Sequence, residues 1–302
     1  MRKAVIDLGT NTFHLLIADI EGTQIQEVYK SQVAVKLGEG GIDQHFITAD
    51  AFARGQSALE AFRTELDKYD CKEIRVVATS AIRNASNGTE FIEEAWKRSH
   101  IQIETISGLE EAEWIAKGVM HSLPTMPSPY IIMDIGGGSV EFILCKGNNI
   151  LHKQSIDIGA ARLLAKFKPQ DPISKSDQGL LKNFLEEMLS GIIHQSQHYQ
   201  AHILVGSAGS FESILELIEE VKGSLKPISP ACFPIDLADF AHIHQRLLHS
   251  TKAERMRMKG LADYRVEMMV LASILIDTVL QMGRIREMYC STHSLKEGVL
   301  LG

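Results

Sequence analysis

The sequence predicts an α/β protein made of two related domains with a cleft between them. Three observations carry this expectation. The chain has 302 residues, near the size at which single cores stop growing and chains divide. A strand–turn–strand pattern occurs twice. Elsewhere, short apolar runs alternate with segments of helical spacing.

The first copy runs from Ala4 to Thr12 (AVIDLGTNT) into the apolar stretch Phe13 to Ala18. The second runs from Ile131 to Ser139 (IIMDIGGGS) into Val140 to Leu144. A shift of 127 positions places Asp7 on Asp134, Gly9 on Gly136 and Thr12 on Ser139. Each copy reads as strand, polar turn, strand, second turn (Glu21 to Thr23; Gly147 to Asn149) and third strand. Duplication is the simplest source of such a match.

The other elements follow in order. Phe52, Leu59, Phe62 and Leu66 recur at helical spacing behind Thr48, a good N-cap. Ile74 to Ala78 reads as a buried strand, Ile101 to Ile106 as another, and Glu110 to Met120 as a helix. Three prolines between Leu123 and Pro129 break the pattern, which sets the expected domains at 1–123 and 124–302. Gln178 to Tyr199 reads as a helix, Ile203 to Val205 as a strand, and Phe211 to Val221 as a helix. Val266 to Met282 is an apolar core helix, punctuated by charge.

Composition narrows the function. Hydrophobic residues make up 45% and charged residues 23%, as in ordinary globular proteins. A net charge of -7 argues against a general nucleic-acid binder. Cys71, Cys145, Cys232 and Cys290 are widely spaced, which fits a reducing compartment. The start MRKAVIDLG lacks a signal-peptide core, and no apolar run reaches the roughly 20 residues of a membrane span. A cytoplasmic protein with neither DNA nor membrane as partner is expected; a homodimer is compatible.

Three turns are rich in Gly, Ser and Thr: Gly9–Thr12 (with Asn11), Gly136–Ser139 (with Gly137 and Gly138) and Gly206–Ser210 (with Ser207 and Gly209). Backbone amides in such turns form anion sites, and the third leads into a helix N-terminus. Asp7 and Asp134 close the strands ahead of two of them, either to hold Mg²⁺ or to cap their own turns. Glu141 reads as a second metal ligand, a water-orienting carboxylate or a solvent-facing strand residue. Glu110, Glu111 and Glu113 open a helix, where the macrodipole favours acids and where one could also activate water. Arg83 follows a strand and reads either as a phosphoryl-binding fork or as a surface residue. His194, His198 and His202 recur every four residues and read as a structural or solvent face rather than as a metal site, since no acidic partner is near in sequence. Basic stretches at Arg162–Lys168 and Arg246–Arg265 read either as a track steering a polyanion or as solvated helix faces.

Taken in order, AVIDLGTNTFHLLI, VVATSAIRNASN, ISGLEEAEWIAKGV, IIMDIGGGSVEFIL, VGSAGS and STHSLKEGVL resemble the exopolyphosphatase/guanosine pentaphosphate phosphatase (Ppx/GppA) family over nearly the whole chain. The resemblance implies two actin-like, ribonuclease H-like domains and release of terminal phosphate from polyphosphate or from pppGpp. It implies Glu111 as general base, Arg83 on the phosphate, and Asp134 with Glu141 at Mg²⁺; Asp7, equivalent to Asp134 in the repeat, joins them as a candidate ligand. Asn11, Thr12, Gly136–Ser139 and Gly206–Gly209 match the family's phosphate loops. His14 stands where many members carry arginine. Ending just past SLKEGVL, the chain resembles the short two-domain members. A kinase of the same fold, an alarmone sensor and an actin-like filament former are the lower-ranked alternatives.

Overall fold

Both repeated segments fold as the hairpins that their alternation predicts. The computed structural model describes residues 1–302. The first unit contains β1 (Arg2–Leu8), β2 (Phe13–Glu21), β3 (Gln24–Val33), α1 (Ala49–Leu66), β4 (Glu73–Ala78), α2 (Ser80–Arg83), α3 (Gly88–Ser99), β5 (Glu104–Thr105) and α4 (Gly108–Ser122). The second contains β6 (Tyr130–Ile135), β7 (Val140–Lys146), β8 (Asn149–Ile156), α5 (Ala160–Phe167), α6 (Lys175–His198), β9 (Ile203–Ser207) and α7 (Ala208–Lys222). It continues through β10 (Cys232–Ile235), α8 (Leu237–His249), α9 (Lys252–Arg255), α10 (Met268–Met282), β11 (Glu287–Ser291) and α11 (Leu295–Leu300).

The sheets have orders β3-β2-β1-β4-β5 and β10-β11-β9-β6-β7-β8. Read from β8, the second repeats the first, with β11 in the place of β5 and β10 added at the edge. In each, the first three strands form antiparallel hairpins and the fourth lies parallel to the first. The repeat extends to detail. Gly9 N–H donates to Thr12 O and Gly136 N–H to Ser139 O, both at 3.1 Å. A β-bulge falls at Ile17/Ala18 and again at Leu144/Cys145, 127 positions later.

One buried cluster joins the two units. Val5, Leu16 and Val77 of the first sheet and Ile132, Ile143 and Val205 of the second pack on Ile115 and Val119 of α4 and Leu295 and Val299 of α11. The two helices touch backbone to backbone at glycines. A Cβ on Gly118 would overlap the Ser294 carbonyl oxygen, and one on Gly298 the Trp114 carbonyl oxygen. Gly118→Ala is therefore expected to lower stability by about 1–3 kcal/mol, despite alanine's better helix propensity. Urea denaturation checks this, and an unchanged midpoint would show that the helices part freely.

Several sequence expectations need adjustment. Only Glu104 and Thr105 of the 101–106 stretch pair as a strand. Ile101, Ile103 and Ile106 still bury their side chains, so the apolar alternation serves packing without a ladder. Ile74 is 39% exposed, and the buried part of β4 is Val76–Ala78. The third glycine turn is shorter than expected, because α7 already begins at Ala208. Thr48 caps α1 as predicted, its hydroxyl accepting from Ala51 N–H at 3.4 Å. No helix is long and apolar enough to cross a membrane.

Candidate active site

The glycine turns of the two units meet at one cleft, and their peptide planes are fixed by what holds their carbonyls. Thr10 O and Asn11 O accept from Gly38 N–H (3.0 Å) and Lys36 N–H (2.8 Å). Gly136 O, Gly137 O and Gly138 O accept from the amides of Gly159–Arg162, which form the start of α5, and Arg162 Nε adds a bond of 2.9 Å to Gly138 O. In a trans peptide the N–H points opposite to the C=O. The amides of Asn11, Thr12, Gly137, Gly138 and Ser139 are therefore turned away from these anchors, and none donates within the protein. Five free donors in two facing turns make an anion cradle. Gly138 admits no side chain, since a Cβ would press on Ser80 and lie 2.8 Å from Thr10 Oγ1.

The cleft holds about 150 Å³ and is lined by both turns, Ser80, Asp7, Glu111, Asp134, Gly209, Arg265 and Lys296. Asp134 is buried, and its Oδ2 accepts from Ser207 Oγ (2.6 Å) and from Ser294 Oγ. Burial raises its pKa against the lowering effect of those two hydroxyls. Asp7 is pushed up to about 6 by burial and by its neighbours Asp134 and Glu297, with Lys296 opposing. Glu141 faces Asp134 across the β6–β7 ladder and is fully enclosed. Its Oε1 accepts from Ser155 Oγ at 2.7 Å, while Oε2 has no hydrogen-bond partner. Burial and the Glu111 charge push its pKa well up.

Glu111 sits in the first turn of α4, and the sequence places it there for a visible reason. Ser107 and Glu110 form the capping box that starts the helix, which leaves Glu111, one position on, to turn into the cleft. Its Oε2 accepts from Arg83 Nη1 at 2.9 Å. Burial raises its pKa to about 7 in spite of Arg83, helped by the charges of Asp7 and Asp134. A carboxylate poised near neutrality suits proton abstraction.

Other candidates fall differently. Arg83 does not line the cleft; it stands behind Glu111, its Nη1 also donating to Ile106 O at 3.0 Å. Gly206 is a buried strand residue whose missing Cβ makes room for the Phe211 ring, so the structure does not place it on the cleft wall. Ser207 also stays off the cleft wall and holds Asp134 instead. Gly209 does line it, under the guanidinium of Arg265. Between them, Ala208 takes φ 64°, a strained conformation for an L residue.

The basic stretches are largely structural. Arg255 is buried on Asp171, Arg246 pairs with Glu220, and Arg162 braces the second turn. Arg265 alone of these reaches the cleft. His14 also reaches it, bonded to Thr12 Oγ1 at 2.8 Å, but burial holds it well below its usual pKa and therefore neutral. It cannot replace an arginine's charge. His194 and His198 are exposed on α6.

Lys296, Ser294 and Thr10 were not singled out from the sequence. Lys296 and Ser294 lie within STHSLKEGVL, so proximity to a matched motif was the available signal. Burial lowers the Lys296 pKa, but Glu297, Asp7, Glu212 and Asp134 outweigh it and keep the ammonium charged.

Comparisons with known proteins bear on the fold and the family. A Cytophaga hutchinsonii exopolyphosphatase crystal structure is 36% identical, with a TM-score of 0.95 over 99% of this chain and 96% of that one. An Aquifex aeolicus member of the Ppx/GppA family shares the fold at 23% identity, with a TM-score of 0.81 over 100% and 96% of the two chains. A provisionally named exopolyphosphatase of Haemophilus influenzae is 28% identical over 98% of this chain and 90% of its own length. The strand order of the first sheet is repeated in the second, so the α/β fold is a duplicated one. The model of the Ppx/GppA phosphatase family matches residues 16–302, and the chain belongs to that family.

Proposed function

We propose that this chain removes terminal phosphates from inorganic polyphosphate by hydrolysis, with Glu111 as the general base. The observation that carries the reading is Glu111 itself, a buried carboxylate with its pKa near 7, facing a cleft whose two turns present five unpaired amides. The amides and Lys296 hold the terminal phosphoryl group. Glu111 takes a proton from the attacking water. Arg83 orients Glu111. The charge that builds on those oxygens is met by fixed donors, the main resource of enzymes that transfer phosphoryl groups.

A divalent cation fits the residues present. No three His, Cys, Asp or Glu side chains converge as a protein-only cage. Mg²⁺ seldom uses one; it takes one or two carboxylates together with phosphate oxygens. Asp134 and Asp7 line the cleft and are the carboxylates that would hold it there; Glu141, enclosed beside Asp134 with its Oε2 unpartnered, does not line the cleft. When bound, it would neutralise phosphate charge.

The acidic cluster also sets a pH dependence. The folded pKa of Glu111 lies above its unfolded value of 4.5, so the native state binds the proton more tightly. That stabilisation is complete below the unfolded pKa and is lost as pH rises through about 7, on the order of 3 kcal/mol from Glu111 alone. Without divalent cations, Tm should therefore fall from pH 5 to pH 8. Activity should move the opposite way, since the base works only when ionised. A Tm that rises over this interval would contradict the cluster's electrostatics.

The narrow polar cleft favours a bare phosphate chain. Its volume is below the roughly 300–1,000 Å³ of sites that enclose drug-sized ligands. Initial rates on long-chain polyphosphate, tripolyphosphate and pppGpp, measured side by side with Mg²⁺, test the assignment. Higher kcat/KM on polyphosphate is expected; higher kcat/KM on pppGpp would reassign the substrate.

A further inference from the structure

A second cavity, of about 590 Å³, lies behind the catalytic pair. Arg83 and Asn84 of the first unit line it together with Lys153, Gln154, Ser155 and Gln195 of the second. Glu111 borders the main cleft and Arg83 borders this cavity, so their 2.9 Å contact is the partition between the two. Ser155 extends the partition, lining the cavity while its hydroxyl binds Glu141. Gly108, also in the lining, packs tightly on Ser155, where a Cβ would overlap the Ser155 side chain.

In-line displacement brings the water in opposite the leaving oxygen. Granted the hydrolase reading above, the new orthophosphate therefore forms at the Glu111 end, with the shortened chain in front of it. The front route is then occupied by substrate. We propose that orthophosphate leaves through the second cavity, past Arg83, while the remaining chain stays in the cleft.

The lining suits that traffic. Arg83 and Lys153 offer positive charge, and Asn84, Gln154 and Gln195 offer neutral donors. The space is far larger than a single water needs and polar-lined, so the anion can leave hydrated. Lys153 is paired with Glu113, and Asp157 at the rim with Arg162 at 3.6 Å, so the walls attract an anion without trapping it. Arg83 is the moving part. Exchanging its Glu111 contact for a phosphate oxygen opens the partition by side-chain rotation alone.

Gly191 on α6 allows a clean test. It is exposed, it borders the cavity, and a Cβ there meets only Gln154 Oε1, at 3.9 Å. Gly191→Trp should plug the route and Gly191→Ala should leave it open. With long-chain polyphosphate, acid-quenched samples count bonds cut, and a phosphate sensor counts orthophosphate set free. For the wild type and Gly191→Ala the two traces should coincide. For Gly191→Trp one equivalent should be cut at the wild-type rate, with free phosphate lagging and turnover down about tenfold, as when release limits the cycle. Coincident traces at wild-type turnover in Gly191→Trp would overturn the route. So would a raised KM without a lag, which would make the cavity an entrance for the chain. A wild-type protein that cuts nothing would show in the quenched trace alone and would overturn the hydrolase reading together with this one.

Discussion

Glu111→Gln is expected to slow orthophosphate release by roughly 10²–10⁴-fold while leaving polyphosphate affinity within a few-fold of wild type. The amide keeps the shape and can still accept from Arg83, so the 2.9 Å contact has a substitute. It cannot take a proton from water. In the proposed mechanism binding rests elsewhere, on the unpaired amides of Asn11, Thr12 and Gly137–Ser139 and on Lys296, which line the cleft. Stability gives an independent reading of the same residue. A buried carboxylate with a raised pKa destabilises the fold at alkaline pH, so the glutamine variant should melt higher than wild type at pH 8 without divalent cations. Near-normal turnover would sink the assignment, and loss of binding would mean that the side chain holds substrate.

Asp134→Asn is expected to cost about 10²–10³ in kcat/KM and to abolish the rise in Tm produced by Mg²⁺. A cation on the phosphates contributes several kcal/mol of transition-state stabilisation, and each 1.36 kcal/mol is tenfold in rate. Asp134 is the best-oriented candidate ligand, because Ser207 at the entry to α7 and Ser294 at the entry to α11 both bind its Oδ2. A ligand that binds only the folded state raises its stability by mass action, so thermal shift reads cation binding without reference to activity. A Mg²⁺-induced shift undiminished in Asp134→Asn would move the cation to other oxygens.

The duplicated architecture was legible because the two copies solve the same problem with the same residues. An aspartate, a glycine and a hydroxyl at matching positions define each hairpin, and even the bulges recur. The two glycine turns were legible for the same reason. What makes them a site was not, since it depends on carbonyls anchored by Lys36, Gly38 and the start of α5, far away in sequence. Gly206 shows the limit of composition: a glycine beside serines looked like a phosphate loop, but it makes room for Phe211. Spacing alone could not separate Glu110 from Glu111. The capping box separates them physically, by using the first and freeing the second. Lys296 was missed because a lysine in an amphipathic segment is ordinarily solvated, and only the fold brings it to Asp7 and Asp134.

The most direct test is to follow long-chain polyphosphate digested by the wild-type protein with Mg²⁺, resolving every product by size. Orthophosphate as the sole small product, absent when EDTA replaces Mg²⁺, is the predicted result. Short oligophosphates from internal cuts, or no phosphate at all, would contradict a cleft in which Glu111 activates water against the chain's terminal group.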